Sequence, residues 1–237
     1  MQLMCVTVMT LTLAAGGRPE IISHRGESAD APENTMAAFR LSWERNVPAI
    51  ELDVHLTTDD QLVVIHDANT ERTCGVKKVI KNSTYADLQD LDAGRWKGAE
   101  FAGEHLPLLQ DVLAALPNGK RCVIEVKVGP ESVPALVRAV EASGKPSEQL
   151  MVISFKDQTI AEVRRKLPEL QAYWLTSFES DKSTGKVTPT VEQIVARAHE
   201  IKAQGVNVSY KGPIDQTFVD AVHNAGLKLY VWTVDDL

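Results

Sequence analysis

Cysteine is scarce in this chain. Only Cys5, Cys74 and Cys122 occur among 237 residues, and no two of them form a CxxC pair. An odd number of widely separated cysteines argues against a disulfide framework, and the lack of a CxxC pair argues against a zinc knuckle. We therefore expect unpaired thiols.

The chain also lacks an excess of positive charge. Asp and Glu number 32 against 25 Lys and Arg, which gives a formal net charge of -7 and a pI near 5.4. Binding to a nucleic-acid backbone needs a concentrated basic surface. The composition therefore argues against nucleic acid as the main partner, although local basic residues can still bind one phosphate group.

No transmembrane segment is predicted, because the N-terminal apolar run at 3–15 falls short of the about 20 residues that a spanning helix needs. The run ends in Ala14-Ala15-Gly16-Gly17 and resembles the hydrophobic part of a secretory signal peptide, but no basic residue precedes it. We expect residues 1–19 to be a signal peptide or an N-terminal extension. Export to the periplasm or the extracellular space is favoured over a cytoplasmic location. A strand or helix that covers the floor of the fold stays open as the alternative.

A GxGxxG motif is missing as well, which disfavours an open doubly wound sheet with a dinucleotide site. Strand-like apolar runs alternate instead with segments of helical period, as in the βα units of a parallel sheet. We predict an α/β fold, a TIM-type (β/α)8 barrel. Its strands are predicted at 20–24, 49–55, 62–66, 122–128, 150–155, 172–176, 205–209 and 228–234. Its helices are predicted at 35–45, with Asn34 as the N-cap, and at 108–116, 132–142, 158–167, 191–204 and 215–224.

Two irregularities interrupt the alternation. Residues 57–61 are too few to form a helix between the second and third strands. Residues 67–106 contain no clean strand–helix unit and are rich in polar and turn-forming residues, which predicts a small insertion after the third strand. We therefore expect one barrel at 20–237 with 67–106 as an insertion subdomain, and we expect the last helix to be absent from this chain.

Acidic side chains cluster where two predicted strands end. Glu51 and Asp53 lie two residues apart and so face the same side of their strand, as do Glu125 and Lys127. Clustered carboxylates repel one another unless a cation neutralises them, and an all-oxygen ligand set favours Mg2+ or Ca2+ over zinc. The alternative is a set of buried ion pairs with Lys127 or Arg25.

Two histidines also follow apolar runs, at His24 and His66. An imidazole titrates near neutral pH, so the pair can provide one base and one acid. Arg25 and Lys127 can supply electrostatic stabilisation beside them, although surface solvation or charge balance would also explain these two cations. The remaining histidines, His55, His105, His199 and His223, are interpreted as structural.

These residues stand in the order of a known family. The chain resembles the glycerophosphodiester phosphodiesterases over 20–237, and several short motifs in fixed order are more specific than any one of them alone. The motifs are His24-Arg25-Gly26, Pro32-Glu33-Asn34-Thr35, Glu51-Leu52-Asp53-Val54, His66-Asp67, Glu125-Val126-Lys127 and Val231-Trp232-Thr233-Val234.

The resemblance implies hydrolysis of glycerophosphodiesters to glycerol 3-phosphate and an alcohol. It implies that His24 and His66 act as base and acid, with their roles exchangeable, and that Glu51, Asp53 and Glu125 bind one divalent cation. Arg25, Lys127 and Trp232 would contact the substrate.

Three alternatives stay open: a lysophospholipid substrate, another phosphodiester, and a non-catalytic phosphate-binding barrel. Head-group preference and oligomeric state are also open.

Aromatic residues near later strand ends are expected either to form an apolar wall for the substrate or to pack in the core. The wall is favoured for Trp232 and the core for Trp174, while Phe155 and Tyr210 fit either role. Two motifs depart from the family pattern, with Arg72-Thr73-Cys74 in place of Arg-Thr-Thr and Leu106-Pro107-Leu108-Leu109 in place of Ile-Pro-Thr-Leu.

Overall fold

A computed structural model describes residues 20–234 of the chain. Within this range a parallel sheet curls around a central axis in the strand order β1-β2-β4-β5-β6-β9-β10. Helices alternate with most of these strands, so the predicted TIM-type α/β architecture is confirmed. The strands are β1 Ile22–Ser23, β2 Ala49–Leu56, β3 Leu62–Val64, β4 Arg121–Val126, β5 Leu150–Ser154, β6 Gln171–Thr176, β7 Glu179–Ser180, β8 Val187–Thr188, β9 Gly205–Ser209 and β10 Lys228–Trp232.

The prediction of a third parallel barrel strand was wrong. β3 pairs antiparallel with β2, with Val54 opposite Val64, so the two strands form a hairpin joined by a short turn. Antiparallel strands need only such a short connection, whereas a parallel crossover needs a dozen residues or more. The described part of the barrel therefore has seven parallel strands, and β3 lies beside β2 outside that series.

Seven α-helices occur in the described range, and the first shows why a helix begins where it does. The predicted cap, Asn34, was wrong by one residue: Thr35 caps α1, because its side chain accepts a hydrogen bond from the amide of Ala38. The helices are α1 Met36–Glu44, α2 Glu71–Cys74, α3 Leu109–Ala115, α4 Val133–Ser143, α5 Asp157–Lys166, α6 Val191–Glu200 and α7 Gln216–Asn224. None of them is long and apolar enough to cross a membrane.

The sheet is buried on both faces, but different kinds of side chain cover its outer and inner faces. Outward side chains such as Leu52 and Ile124 join the main hydrophobic core beneath the helices. Inward side chains change along each strand: Ala49 and Val123 belong to an apolar floor, and charged residues follow them toward the carboxyl ends. The barrel interior is therefore packed at one end and polar at its mouth.

Residues 67–106 pack beside the β2–β3 hairpin. A third hydrophobic cluster joins the hairpin residues Val63 and Ile65 to Ile80 and Leu88, all of them buried. This segment holds α2 and three short 3-10 turns, and it lies next to the mouth through His66 and Asp67. The predicted boundaries of 20–237 and 67–106 stay predictions, and the expected leader at 1–19 lies outside the described residues.

Candidate active site

The backbone after β1 bends sharply toward β2. Arg25 and Asn34 both have positive φ, at 57° and 58°. This conformation costs roughly 1–3 kcal/mol for a residue other than glycine, so it persists where other contacts fix it. Here the amide of Arg25 donates to Glu51 Oε2 at 2.8 Å, and the Asn34 side chain donates to Asp53 Oδ2 at 2.9 Å and accepts from the Asp53 amide at 3.1 Å.

Three carboxylates meet beside this bend. Asp53 on β2 lies directly opposite Glu125 on β4, and Glu51 precedes Asp53 on the same face. One oxygen from each of the three lies within 4.8 Å of the others, and all three residues are buried. Strand register and period-two geometry thus bring together the predicted cation ligands.

The charges of the three carboxylates are unequal. Burial and the neighbouring Asp53 and Glu125 raise the pKa of Glu51 well above its usual value. Burial also pushes the pKa of Asp53 upward, but Lys127 and Arg25 hold it below its usual value. Burial and the Asp53 charge raise the pKa of Glu125 to about 7. Two of the three groups therefore resist ionisation in the protein alone.

This cluster fits a hard divalent cation. Among the described residues, Glu51 Oε1 and Asp53 Oδ1 are buried and have no hydrogen-bond donor, although Lys127 Nζ lies 3.3 Å from Asp53 Oδ1. Orphaned carboxylate oxygens are costly, and a cation with an oxygen ligand set would satisfy them. The arrangement can therefore hold a metal ion, as the sequence predicts.

Seven of the eight predicted site residues line one cavity, and Asp53 lies buried directly behind them. The cavity has a volume of about 150 Å3 and opens at the carboxyl ends of the strands. It is lined by His24, Arg25, Glu51, His66, Glu125, Lys127, Phe155, Leu175, Trp232 and Thr233.

The two histidines occupy different environments. Burial, together with the positive charge of Arg25, lowers the pKa of His24 to about 4, so its imidazole is neutral at physiological pH. His66 Nδ1 lies 2.7 Å from Asp67 Oδ1. A hydrogen bond from Arg72 is the main reason why the pKa of Asp67 falls to about 2, so this carboxylate is ionised and accepts a hydrogen bond from Nδ1–H. Nε2 is then the ring nitrogen of His66 that can exchange a proton with a bound molecule.

Several residues that support the site were not predicted from the sequence. Asn34 holds Asp53, Asp67 holds His66, and His55 Nε2 lies 3.0 Å from the carbonyl oxygen of His66. Asn34 and Asp67 belong to the motifs that carry the resemblance, and their place in those motifs was the available signal. The expectation that His55 is structural stays a prediction.

The comparisons with known proteins agree with this geometry. The model of the glycerophosphoryl diester phosphodiesterase family matches residues 24–237. The chain belongs to this family. A glycerophosphodiester phosphodiesterase from Caldanaerobacter subterraneus subsp. tengcongensis is 33% identical over 220 residues, which cover 91% of this chain and 85% of that protein.

Two further relatives are informative about the family. A phosphodiesterase from Oleispira antarctica, solved in complex with its product sn-glycerol-3-phosphate, superposes with a TM-score of 0.81 at 27% identity, covering 92% of this chain and 85% of that one. A human lysophospholipase D is 39% identical over 103 residues, which cover 41% of this chain and 33% of that protein.

In this member of the family an aromatic wall closes one side of the cavity. Phe155 packs edge-on against Trp232, with ring centroids 5.5 Å apart and an interplanar angle of 84°. Leu175 completes the apolar side. Trp174 packs against the main core, as predicted, and Tyr210 is 51% exposed.

Proposed function

We propose that this protein hydrolyses glycerophosphodiesters to glycerol 3-phosphate and an alcohol, with one divalent cation, Mg2+ or Ca2+, and two histidines. One observation carries the proposal: both imidazoles and the buried carboxylate cluster face the same cavity at the barrel mouth. Membership of the family supplies the substrate class. A non-catalytic phosphate-binding barrel would not need two imidazoles held in different environments.

The phosphodiester anion would bind between Arg25 and Lys127. Both side chains line the cavity and are less than one-fifth exposed. Low exposure strengthens their attraction for the phosphoryl oxygens, and fixed charges of this kind stabilise the additional negative charge of the transition state. Glu51, Asp53 and Glu125 would hold the cation, which when bound neutralises charge on the phosphoryl oxygens.

His24 is assigned as the base. A base must be neutral to accept a proton, and the burial that lowers its pKa to about 4 keeps it so. It would take the proton from the nucleophile as the new P–O bond forms. The nucleophile is a water molecule or the neighbouring glycerol hydroxyl; in the second case water then opens the cyclic phosphate with the two histidines exchanging roles.

His66 is assigned as the acid. An acid must carry the proton that it donates, so His66 would act with a proton on each ring nitrogen. The ionised Asp67 carboxylate accepts from Nδ1 and orients the ring. Nε2 would then donate its proton to the leaving alcohol oxygen as the old P–O bond breaks. Each histidine is expected to contribute about 10²- to 10⁴-fold to the rate.

Lysophospholipids are the second candidate substrates. The apolar side formed by Phe155, Leu175 and Trp232 could accept an acyl chain or its glycerol linkage. The human relative named as a lysophospholipase D is similar in sequence to part of this chain.

The test is a direct assay of the full chain. Glycerophosphocholine and lysophosphatidylcholine are each incubated with chelator, Mg2+ or Ca2+, and the release of choline, glycerol 3-phosphate and lysophosphatidate is measured. We expect cation-dependent release of choline and glycerol 3-phosphate from glycerophosphocholine. Absence of cation-dependent release from any glycerophosphodiester would reject the proposal, and release only from the lysolipid would favour the second candidate.

We also propose that the protein is exported. The support is the apolar run at 3–15, which ends in small residues. Expression of the full chain followed by mass spectrometry of its N-terminus should find cleavage near residue 17 in the exported fraction. An intact N-terminus on cytoplasmic protein would contradict this proposal.

A further inference from the structure

A single guanidinium joins two parts of the barrel mouth from outside the cavity. Arg72 lies in α2, on the segment that follows β3. Its Nε donates to Asp67 Oδ2 at 2.7 Å, while Nη1 and Nη2 donate to the two oxygens of Glu33 at 2.8 Å each. All three nitrogens of the side chain are therefore engaged with carboxylates.

Each of the two carboxylates also accepts a hydrogen bond from a residue that lines the cavity. The other oxygen of Asp67 accepts from His66 Nδ1 at 2.7 Å. Glu33 Oε1 also accepts from Arg25 Nη1 at 2.9 Å, and Arg25 Nε lies 3.4 Å from Asp53. A continuous chain of charged hydrogen bonds thus runs from the imidazole of His66 to the guanidinium that faces the phosphate position.

We propose that Arg72 is a positioning residue that sets the proton donor and the phosphate-binding arginine at the same time. This inference rests on the proposed function for the roles of His66 and Arg25. Arg72 itself does not line the cavity, and it acts through Asp67 on one side and Glu33 on the other. The segment 67–106 thus helps to position the catalytic groups, although no atom of Arg72 would touch the substrate.

Charge alone does not explain this arrangement. The Arg72 side chain is 43% exposed, and exposed ion pairs contribute little to stability. What the guanidinium supplies is geometry, because its planar fork can bind Glu33 with two parallel hydrogen bonds while Nε stays on Asp67. A lysine carries the same charge but has a single ammonium, so it cannot hold both carboxylates in these orientations.

The first test reads the His66 ring without any substrate. Long-range 1H–15N spectra of the full chain, with the His66 signals assigned by a His66→Gln variant, report which ring nitrogen carries the proton. We expect the Nδ1–H form in the wild type, and a mixture of tautomers in Arg72→Met and Arg72→Lys. The control is Lys77→Met, which removes an exposed cation that lies 3.1 Å from Glu71 of the same short helix.

The second test separates the two arms by kinetics with glycerophosphocholine. Asp67→Asn should lower kcat with little change in KM, since the amide oxygen can still accept from Arg72 while the amide nitrogen cannot accept from His66. Glu33→Gln should raise KM, which Asp67→Asn leaves nearly unchanged, since it weakens the hold on the Arg25 guanidinium. Arg72→Met should do both, with a loss in kcat/KM of roughly 10²-fold, the scale of a small misplacement of reacting groups. Arg72→Lys should restore only part of this loss.

The double variant Arg72→Met, Asp67→Asn distinguishes a shared arm from independent effects. Residues in one hydrogen-bond network are non-additive, so its loss in kcat should be smaller than the product of the two single losses. An unchanged His66 tautomer and full kcat/KM in Arg72→Met would overturn the inference. Failure of the wild type to cleave glycerophosphodiesters would reject the proposed function instead, and the spectra would still decide whether Arg72 orients His66.

Discussion

Lys127 Nζ lies 2.8 Å from Glu125 Oε1, and the two residues stand two positions apart at the end of β4. The same nitrogen is 3.3 Å from Asp53 Oδ1. A lysine thus partly neutralises the carboxylates that are proposed to hold the divalent cation. Lys127 and the cation would compete for the same carboxylate oxygens. The effect of removing Lys127 on stability should therefore depend on whether the cation is present.

Lys127→Met should destabilise the protein most when no cation is present. Removing one partner of a buried ion pair costs about 3 kcal/mol or more, because the remaining carboxylates lose their counter-charge. Saturating Mg2+ or Ca2+ should narrow this difference, since the cation neutralises the same groups. Chemical denaturation with chelator and with cation measures both values.

The surface provides a control for that experiment. Lys120→Met removes a lysine whose Nζ bonds only the side chain of Asn46 among its recorded contacts, at 2.6 Å. Its stability should change little and equally in both conditions. An equal loss for Lys127→Met with and without cation would contradict a shared set of ligands.

The metal-free protein should lose a Glu125-dependent share of its stability as pH rises. Burial and Asp53 raise the pKa of Glu125 to about 7 in the folded state, against about 4.3 in an unfolded chain. Between these values the folded state binds more protons than the unfolded state, so the free energy of unfolding falls with rising pH. The contribution is complete below about pH 4 and lost above about pH 7, on the order of 3 kcal/mol.

His24 acts in the opposite direction. Its pKa of about 4 in the folded state lies below the about 6.5 of an unfolded chain, so its contribution to stability increases with pH in that interval. Both proteins contain His24, so its contribution cancels when the free energy of unfolding of Glu125→Gln is compared with that of wild type. With chelator present, the stability of Glu125→Gln relative to wild type should increase from pH 5 to pH 8; the exposed Glu148→Gln should show no such trend. The prediction would be contradicted if the stability of Glu125→Gln relative to wild type did not change between pH 5 and pH 8.

The site was largely predictable because its rules are local. Period-two alternation places Glu51 and Asp53 on one face, and the carboxyl ends of parallel strands meet at one edge. Those two facts place Glu125 near the pair, and the observed register between β2 and β4 sets it directly opposite Asp53. The positions of His24 and His66 at the ends of apolar runs gave the same indication.

The direction of β3 was not predictable from its own residues. An apolar run reads alike in parallel and antiparallel pairing, and only the short connection before Leu62 favoured a hairpin. The cap of α1 failed for a related reason, since Asn34 and Thr35 are both good capping residues. The bond from Asn34 to Asp53, nineteen residues away, leaves Thr35 to cap the helix.

The contacts of Arg72 were not predictable from its neighbours in the sequence, although it begins the motif that was compared with the family's Arg-Thr-Thr. Glu33 is 39 residues away in sequence, and the two meet only because the segment after β3 folds back toward the bend after β1. A charged residue in a polar segment is ordinarily solvated, so its pattern alone predicts nothing about the cavity. Tertiary contacts supplied this information.

The aromatic wall should contribute to substrate binding more than to the chemical step. Phe155 is 43% exposed and edge-on to Trp232, a contact worth about 0.5–1.5 kcal/mol beyond burial. Phe155→Ala should raise KM by roughly 2- to 10-fold with little change in kcat, because such contacts bind substrate and transition state alike. Steady-state kinetics with glycerophosphocholine measures the effect.

Two variants frame that result. Trp96→Ala removes an aromatic side chain of equal exposure from outside the cavity and should leave KM unchanged. Phe155→Leu keeps an apolar surface and should recover part of the affinity. A fall in kcat at constant KM for Phe155→Ala would show instead that the wall acts on the reaction.

The separate roles of the two histidines should be distinguishable by comparing substrates with different leaving groups. His24→Ala and His66→Ala should each lower kcat for glycerophosphocholine by about 10²- to 10⁴-fold. The p-nitrophenyl ester of glycerol 3-phosphate releases a stabilised anion that needs no proton, so His66→Ala should recover most of its activity with this ester. His24→Ala should stay impaired with both substrates, because activation of the nucleophile is still required.

Cation binding and a third histidine guard against trivial explanations of that pattern. Calorimetry should find the cation affinity of both variants near that of wild type, since neither imidazole belongs to the carboxylate cluster. His105→Ala removes an exposed imidazole whose Nδ1 lies 3.3 Å from the Leu91 carbonyl oxygen, and it should keep full activity. If His24→Ala recovers with the activated ester and His66→Ala does not, then His24 is the acid and the two roles are exchanged. Equal recovery of both variants would mean that neither ring donates to the leaving group alone.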